Sequence, residues 1–400
     1  MASGGVAAMV QQPLAGISWR NQLYCGDCLA VLDAVPDESV DLIYIDPPFY
    51  SQRVYETIWG EEAERFAFED RWSDGINHYV NHLVARIRKM YSKLKAAGSF
   101  YVHLDWHIAH YMKIELDKVF GYGNFQNEII WQRTSAHSDA KRLGHVHDTL
   151  LFYSKSETFT WNPLFGPHSA EYVGKFYRFT DPVRGLYRLD HIIRSQSMGP
   201  RPNLSYEYKS YKPQWGWRVE REKLKKLDAD GRIEWSKTGR PYLRRYLKEM
   251  KGTALTSIWA DIIPVQAHAK ERLGYPTQKP LALLERIVRA SSDPGDVVLD
   301  SYCGCGTTMA AAQKLGRKWI GIDISQSAVR VVEQRLQKLG AANYEVHGLV
   351  KSLKELRALD LFEFQNWAIN AAPPLSTGYL EGVGTAGLKP RPSETRTQGR

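Results

Sequence analysis

The feature that most constrains the fold of this chain is a short apolar run that ends in two prolines. Residues Asp41–Ile45 are rich in apolar β-favouring side chains, so they predict a buried strand. Asp46-Pro47-Pro48-Phe49 follows at once, and neither proline can donate to a β-ladder. We therefore predict a stiff loop at the carboxyl end of a buried strand, where open α/β sheets bind their ligands.

This loop carries the groups needed to hold a planar base by its exocyclic amine. Asp46 and a backbone carbonyl would accept the two N–H groups and draw the nitrogen towards tetrahedral geometry, ready for a methyl group on a sulfonium donor. Phe49 would stack on the ring, a contact worth about 1–3 kcal/mol. An ordinary strand-ending turn is the alternative, because Asp-Pro is a common turn opener. The predicted catalytic residues are Asp46, Pro47, Pro48 and Phe49.

Strand and helix patterns alternate on both sides of a central segment. Before it, the pattern predicts strands at 23–27, 41–45, 99–104 and 128–132, helices at 28–35, 76–94 and 106–120, and a mobile loop over 51–71. After Gly252, a helix opens at Pro280, and strands are predicted at 297–300 and 318–322. Such alternation favours a doubly wound, parallel α/β sheet with helices on both faces.

The central segment, residues 133–252, differs from its flanks in charge and aromatic content. Residues 133–251 hold 24 Lys+Arg and 13 Asp+Glu, so their excess of 11 positive charges exceeds the +9 of the whole chain. Tyrosines and tryptophans are interleaved with these charges, which favours phosphate contacts and base readout over a merely solvated subdomain with its own aromatic core. The predicted DNA contacts are Arg133, Arg218, Arg240, Arg244 and Arg245.

A second loop, Cys303-Gly304-Cys305-Gly306-Thr307-Thr308, follows the predicted strand 297–300 and leads into a helix. Glycines at 304 and 306 allow a tight turn and close approach of a ligand, and Asp323 is placed to bind a ribose diol. There is no Gly-x-x-x-x-Gly-Lys, and position 309 is Met where a dinucleotide fingerprint needs a third glycine. These features favour a smaller nucleoside ligand such as S-adenosylmethionine.

The cysteines and the apolar content of the chain bear on three further possibilities: a zinc site, a membrane protein and a secreted protein. Cys25, Cys28, Cys303 and Cys305 could in principle form a four-thiolate zinc site, but the second pair has a single spacer and its glycines serve the nucleoside loop. We therefore predict no metal and reduced thiols in a cytoplasmic protein. No apolar run reaches the length of a membrane span, and residues 1–18 do not resemble a secretory signal.

Six motifs follow one another between about Gln22 and Leu339. They are Gly26-Asp27-Cys28, Asp46-Pro47-Pro48-Phe49, Asn127-Glu128-Ile129-Ile130-Trp131, Pro276-Thr277-Gln278-Lys279-Pro280, Asp300 with Cys303-Gly304-Cys305-Gly306-Thr307-Thr308, and Gly321-Ile322-Asp323. In this order they resemble the β-class DNA amino-methyltransferases, the permuted group in which the catalytic motif precedes the target-recognition region and the cofactor loop comes last.

The resemblance implies a Rossmann-like methyltransferase sheet, S-adenosyl-L-methionine as cofactor and double-stranded DNA with a flipped base as substrate. The residues implied around the cofactor are Asp27, Thr277, Lys279, Asp300, Cys303, Gly304, Gly306, Thr307 and Asp323. Family members commonly have Pro-Phe where this chain has Ser301-Tyr302, a departure that bears on packing around the methionine moiety.

The implied organisation has five segments. They are a disordered leader (1–18), a catalytic half (19–132), a target-recognition insertion (133–252, with 149–153 in the sheet), a cofactor-binding half (253–345), and a C-terminal extension (346–400) that is disordered after about 372. The resemblance also leaves room for a homodimer and for a cognate restriction endonuclease.

The choice of substrate atom follows partly from chemistry. Carbon-5 methylation of cytosine needs a cysteine nucleophile, usually after proline, and no cysteine here follows proline. In the resembling family Asp-Pro-Pro-Tyr/Phe goes mostly with adenine N6 and Ser-Pro-Pro-Tyr mostly with cytosine N4. We therefore predict adenine N6, with cytosine N4 as the alternative. An RNA or protein methyltransferase and an inactive DNA-binding relative are the other classes; motif order and an intact Asp46 count against them.

Overall fold

The computed structural model describes residues 20–49, 54–59, 64–69, 75–135, 143–199, 201–275 and 277–349, the second and third ranges by their backbone alone. The predicted leader and the predicted disorder after about 372 lie outside these residues. The chain divides into two compact units, Met1–Asn162 with Ser257–Arg400, and Pro163–Thr256.

Strands outnumber helices about two to one in the described chain. The strands are β1 (Gln22–Cys25), β2 (Val40–Ile45), β3 (Val54–Trp59), β4 (Glu64–Glu69), β5 (Leu94–Leu104), β6 (Phe125–Gln132), β7 (His147–Ser154), β8 (Phe165–Gly166), β9 (Phe179–Asp181), β10 (Gly185–His191), β11 (Ile233–Trp235), β12 (Pro241–Tyr246), β13 (Thr253–Ala254), β14 (Ile258–Trp259), β15 (Val297–Asp300), β16 (Lys318–Asp323) and β17 (Glu345–His347). The helices are α1 (Cys28–Leu32), α2 (Gly75–Lys93), α3 (Ala109–Phe120), α4 (Ala170–Phe176), α5 (Arg221–Ala229), α6 (Leu281–Ser291), α7 (Thr307–Lys314) and α8 (Gln326–Lys338).

The larger unit is built on one nine-stranded sheet in the order β14-β6-β7-β5-β2-β15-β16-β1-β17. Neighbouring strands are parallel except at β7, which runs antiparallel to both β5 and β6. From the centre, β15 connects outward to β16 while β2 connects outward to β5 on the other side. The predicted doubly wound, Rossmann-like α/β fold is confirmed, with its switch point between β2 and β15.

Both faces of this sheet are covered, which explains the near-continuous apolar runs of its central strands. On one face Ile43 and Leu299 pack in a cluster with Leu83, Ile87 and Met90 of α2. On the other face, the alternate residues Leu42 and Val298 pack in a second cluster with Leu284, Ile287 and Val288 of α6. The strand ends are thereby fixed from both sides, and the loops that follow them start from rigid positions.

Several element boundaries differ from the sequence prediction. Helix α2 ends at Lys93 and β5 begins directly at Leu94, so the strand starts before the predicted residue 99 and includes Gly98. Helix α3 starts at Ala109 and not at Trp106, since the Asp105 carboxylate accepts a hydrogen bond from the His107 backbone N–H at 3.0 Å and holds a turn there. The predicted loop over 51–71 contains β3 and β4, which pair as an antiparallel hairpin.

The smaller compact unit begins at Pro163, whereas the target-recognition insertion was predicted from residue 133 with 149–153 in the sheet. Strand β7, which contains 149–153, is paired on both sides in the large sheet. The unit has a four-stranded antiparallel sheet, β11-β12-β10-β9, and a separate β8-β13 pair. Tyr206 and Trp217 lie buried in its core, so part of the interleaved aromatic content is structural. None of the described helices is long and apolar enough to cross a membrane.

Candidate active site

The two loops singled out in the sequence leave the sheet side by side. Leu299 of β15 is the register partner of Ile43 of β2, and the two strands are parallel. Their carboxyl ends therefore meet at one edge, so Asp46 follows β2 close to where Ser301 follows β15. This edge is the switch point of the sheet, the usual ligand position in such folds.

Lys279 connects the two loops. Its ammonium forms an ion pair with Asp46 Oδ2, and the two side chains are only 10% and 16% exposed. The same ammonium lies 5.1 Å from the centroid of the Phe49 ring. Its backbone carbonyl accepts a hydrogen bond from Thr307 Oγ1 at 3.3 Å. The sequence predicted Lys279 beside the cofactor, whereas its charged end lies on the carboxylate of the proline loop.

The proline loop, residues Asp46–Phe49, is held by contacts with α2 and β5. Pro47 is buried, and the Pro48 carbonyl accepts a hydrogen bond from the Tyr79 hydroxyl of α2 at 2.7 Å. The Phe49 ring stacks on His103 of β5, with centroids 6.0 Å apart and planes 30° apart. The sequence alone did not identify Tyr79 or His103, since neither is near Asp46 in the chain.

A buried polar chain runs beside this loop. His103 is fully buried and lies 2.9 Å from the Tyr44 hydroxyl through Nδ1 and 3.1 Å from Asp148 Oδ2 through Nε2. Arg133 Nε lies 3.0 Å from Asp148 Oδ1. Burial raises the pKa of Asp148, but the hydrogen bond from His103, with the charges of Lys279 and Arg133, outweighs it and leaves that pKa lowered. The signal in the sequence is a histidine at position 103 between the apolar Val102 and Leu104, and an aspartate at 148 shortly before the apolar run Leu150–Tyr153.

Asp300, at the end of β15, organises the glycine loop. Its Oδ2 accepts a hydrogen bond from Thr308 Oγ1 at 2.5 Å, and its Oδ1 accepts one from the Tyr302 N–H at 3.0 Å. Burial raises the pKa of Asp300 to about 7, and the negative charges of Asp46 and Asp323 add to that rise. Its carboxyl group thus faces the loop's own backbone and Thr308.

The loop glycines adopt conformations that other residues resist. Gly304 has φ +50° and Gly306 has φ +74°, both in the left-handed region. A Cβ on Gly306 would lie 2.8 Å from the Val332 methyl groups, whereas one on Gly304 would lie 3.4 Å from the Tyr275 ring. Gly306 immediately precedes α7, so the loop turns tightly between strand and helix.

Asp323 fits the diol of a nucleoside. Its Oδ2 accepts from the Gly304 N–H and its Oδ1 from the Ser325 N–H, both at 2.8 Å. Each carboxylate oxygen has a second lone pair, so both keep the capacity to accept from a hydroxyl group. Burial raises the pKa of Asp323. The carboxylate and the glycine loop beside it therefore suit the ribose of S-adenosyl-L-methionine.

Three other predicted cofactor residues have different surroundings. Asp27 caps α1 by accepting from the Leu29 N–H at 2.8 Å and forms an ion pair with Arg86 at 2.6 Å. Thr277 is exposed, and Cys303 is buried, which raises the pKa of its thiol. All four cysteines are free. Across the part of the chain that the structure describes, no group of three or more His, Cys, Asp or Glu side chains is arranged to hold a metal ion.

In the smaller unit, the predicted DNA contacts are partly engaged with neighbours. Arg244 Nε lies 2.9 Å from Glu234 Oε2, and Arg245 Nε lies 2.8 Å from Asp190 Oδ2. Arg218 is exposed and donates to the Ile193 carbonyl at 3.2 Å. Arg240 is exposed, with its guanidinium 5.7 Å from the Tyr242 ring.

Comparison with known proteins places this site in context. The sequence model of the N6/N4 DNA methylase family matches residues 40–334. The type II methyltransferase M.EcaI of Enterobacter cloacae is 33% identical over 308 residues, which span 75% of this chain and 65% of that enzyme, just under two thirds of its length. The DNA adenine methyltransferase YhdJ of Escherichia coli is 27% identical over 82% of this chain and 86% of its own length.

Among solved structures, the cytosine-N4-specific PvuII DNA methyltransferase aligns with a TM-score of 0.47 at 16% identity, covering 88% of this chain and 94% of that one. A putative DNA modification methylase of Thermus thermophilus, complexed with S-adenosyl-L-methionine, aligns with a TM-score of 0.46 at 17% identity, covering 83% and 100%. At these scores the sequence match, rather than the structural likeness, carries the family assignment.

Proposed function

Because this chain belongs to the N6/N4 DNA methylase family, we propose that it is a site-specific DNA methyltransferase acting on the exocyclic N6 amine of adenine. The observation that carries the proposal is the meeting of the Asp46–Phe49 loop and the Gly304–Gly306 loop at one sheet edge. Lys279 ties them together, with its ammonium on Asp46 and its carbonyl on Thr307.

Asp46 holds the amine in the proposed mechanism. Within the described chain only Lys279 contacts this carboxylate, at Oδ2, which leaves Oδ1 to accept an N–H of the base. Accepting that hydrogen bond draws electron density onto the nitrogen, whose lone pair is otherwise delocalised into the ring. After transfer the nitrogen carries one proton too many, and the Asp46 carboxylate, which holds one of its N–H groups, would accept that proton.

Phe49 and the residues beneath it orient the base. A base that has left the duplex loses its stacking neighbours, and an aromatic face recovers about 1–3 kcal/mol of that loss. Tyr79 fixes the backbone just before Phe49 by its hydrogen bond to the Pro48 carbonyl. The stacking face and the amine acceptor therefore move as one rigid loop.

The glycine loop and Asp323 hold the cofactor. S-adenosyl-L-methionine, when bound, supplies a methyl group whose bond to sulfur breaks as a bond to the amine nitrogen forms. Asp323 would accept from the ribose hydroxyls, while Gly304 lets the backbone approach closely. Asp27, Thr277, Lys279, Asp300, Cys303, Gly306 and Thr307 complete the proposed set around the cofactor.

Adenine rather than cytosine is the finer part of the proposal. It is supported by Asp at position 46, which goes mostly with adenine in this family, and by the adenine specificity in the name of the Escherichia coli relative. Duplex DNA as substrate is supported by the excess positive charge of the inserted unit. A homodimer and a cognate restriction endonuclease remain predictions.

Sequencing that detects modified bases directly, applied to DNA from a host expressing the full chain, tests this proposal. We expect N6-methyladenine at one short recurring sequence, absent from the host without the chain. Detection of N4-methylcytosine instead would overturn the assignment of adenine as the target base, but it would still support methylation of an exocyclic amine. If the host DNA contained no new modified base and the purified protein were also inactive on duplex DNA, the proposal that this chain is a DNA methyltransferase would be refuted.

A further inference from the structure

The ring on which Phe49 rests is a histidine with no solvent exposure. His103 stacks against Phe49 at 6.0 Å and 30°, and its ring lies edge-on to Trp131 at 5.6 Å and 87°. Nothing in the proposed chemistry uses this imidazole. A buried titratable ring directly under the base-stacking residue therefore needs an explanation of its own.

Both nitrogens of His103 are engaged, and their partners define the tautomer. Burial raises the pKa of the Tyr44 hydroxyl well above its ordinary value, so this group keeps its proton and can donate to the Nδ1 lone pair of a neutral imidazole. The Asp148 carboxylate can only accept, so Nε2 carries the hydrogen and donates to Oδ2. With one bond at each end, the imidazole cannot rotate without leaving a buried polar atom unpaired.

The sheet places His103 and its two hydrogen-bond partners, Tyr44 and Asp148, at the edge that carries Asp46. Val102 is the register partner of Ile45, so His103 lies beside Asp46 across the β5–β2 pair. Strand β7 runs antiparallel and starts at His147, which brings Asp148 to the same edge. Arg133, with 45% of its side chain exposed, forms an ion pair with Asp148 and is the solvent-facing member of this polar chain.

Building on the proposed function, we propose that His103 is a positioning residue for methyl transfer. Tyr44 and Asp148 clamp its imidazole, and the imidazole fixes the plane of the Phe49 ring on which the target base stacks. Methyl transfer requires the nitrogen, the methyl carbon and the sulfur in line, and a small error in the base plane misaligns them. His103 has no exposed surface through which it could touch base or cofactor, so its effect would pass through Phe49.

Two substitutions and a matched control separate positioning from stability. Tyr44→Phe removes only the hydroxyl that holds Nδ1. His103→Gln keeps an N–H donor for Asp148 but removes the flat ring under Phe49. Tyr101→Phe is the control, because Tyr101 lies on β5, is as buried as Tyr44, and shares a hydroxyl–hydroxyl hydrogen bond with Ser291, away from the proline loop.

With full-length protein and duplex DNA that the wild type methylates, we expect kcat to fall by about 10-fold for Tyr44→Phe and on the order of 100-fold for His103→Gln. The KM for S-adenosyl-L-methionine should stay near the wild-type value, and Tyr101→Phe should keep wild-type kcat. Equal kcat for Tyr44→Phe and Tyr101→Phe would overturn the proposal. If His103→Gln does not fold, as judged by its melting temperature, this comparison decides alone.

A double-mutant cycle tests whether His103 acts through Phe49. In a Phe49→Leu background, His103→Gln should reduce kcat by only a small further factor, because the ring it positions is gone. If the fold-reduction in kcat of the double variant equalled the product of the two single-variant reductions, His103 would act independently of Phe49, which would contradict the proposal. A wild type that transfers no methyl group to any DNA would instead refute the proposed function.

Discussion

At the scale of single residues, Asp300 shows how burial sets charge in this site. Its carboxyl group is removed from water and lies near two other carboxylates, and burial raises its pKa from the ordinary 3.8 to about 7. Below pH 3.8 the folded and unfolded states both hold the proton. Between 3.8 and about 7 only the folded state holds it, so stability is lost as the pH rises through this window.

Asp300→Asn should remove this pH dependence. An asparagine can still accept from the Tyr302 N–H while its amide faces Thr308, and it does not ionise. We expect the free energy of unfolding of the wild type, relative to Asp300→Asn, to decrease as the pH rises from 3.8 to about 7 and then to level off. Chemical denaturation of both proteins across this range measures it; parallel curves would mean that Asp300 keeps an ordinary pKa.

The sequence predicted individual residues where a local pattern defines them. Asp46 is recognisable because two prolines and an apolar run surround it. Its ion pair with Lys279 spans 233 positions, and the pairing of His103 with Asp148 spans 45, so no local pattern contains either contact. Arg133 was predicted as a DNA contact, yet its pairing with Asp148 depends on the antiparallel register of two strands.

At the scale of elements, the turn between β15 and α7 depends on glycine for two reasons. Gly306 combines φ +74° with a Cβ position 2.8 Å from Val332. Gly316, at the other end of α7, also has φ +74° but nothing within 4 Å of its Cβ position. Comparing substitutions at Gly306 and Gly316 therefore separates the stability cost of a left-handed backbone from the stability cost of a crowded Cβ.

Gly306→Ala should destabilise the protein more than Gly316→Ala. The left-handed conformation costs an alanine roughly 1–2 kcal/mol at either site. At Gly306 the added methyl group must also displace Val332 of α8, so its melting temperature should fall further. Differential scanning calorimetry of both variants gives the comparison, and equal melting temperatures would mean that α8 moves away without cost.

Elements with a clear period were predicted and those without one were missed. The apolar stripe of α2 located that helix to within one residue at each end. The hairpin of β3 and β4 was predicted as a loop, because residues 51–71 alternate too irregularly to indicate strands. Strand β5 begins five residues earlier than predicted, because Leu94 pairs with Val40; the register then shifts before the next pair, Ser99 with Leu42.

At the scale of the whole molecule, positive charge is concentrated in one unit. Pro163–Thr256 contains 20 Lys+Arg and 10 Asp+Glu, against a net charge of +9 for the entire chain. Many of these arginines are paired with carboxylates inside the unit, including Arg244 and Arg245. Net charge therefore singles out this unit as the expected DNA-binding unit, but it does not indicate which of its arginines are free to contact phosphates.

Arg240→Ala and Arg244→Ala should affect DNA binding differently. Arg240 is exposed and pairs with no carboxylate of a described residue, so its loss should weaken binding and reduce the slope of log affinity against log salt by about 1. Arg244 pairs with Glu234 and covers the Tyr187 ring, so its loss should first lower the melting temperature. Fluorescence anisotropy at several salt concentrations tests this; an unchanged slope for Arg240→Ala would place the DNA contacts elsewhere.

Methyl transfer and cofactor affinity, measured together on Asp46→Ala and Asp323→Ala, test most directly whether one loop holds the amine and the other the cofactor. We expect Asp46→Ala to bind S-adenosyl-L-methionine like the wild type in titration calorimetry while transferring no detectable methyl group to duplex DNA. Asp323→Ala should bind the cofactor more weakly. Turnover by folded Asp46→Ala within a few-fold of the wild type would contradict the assignment.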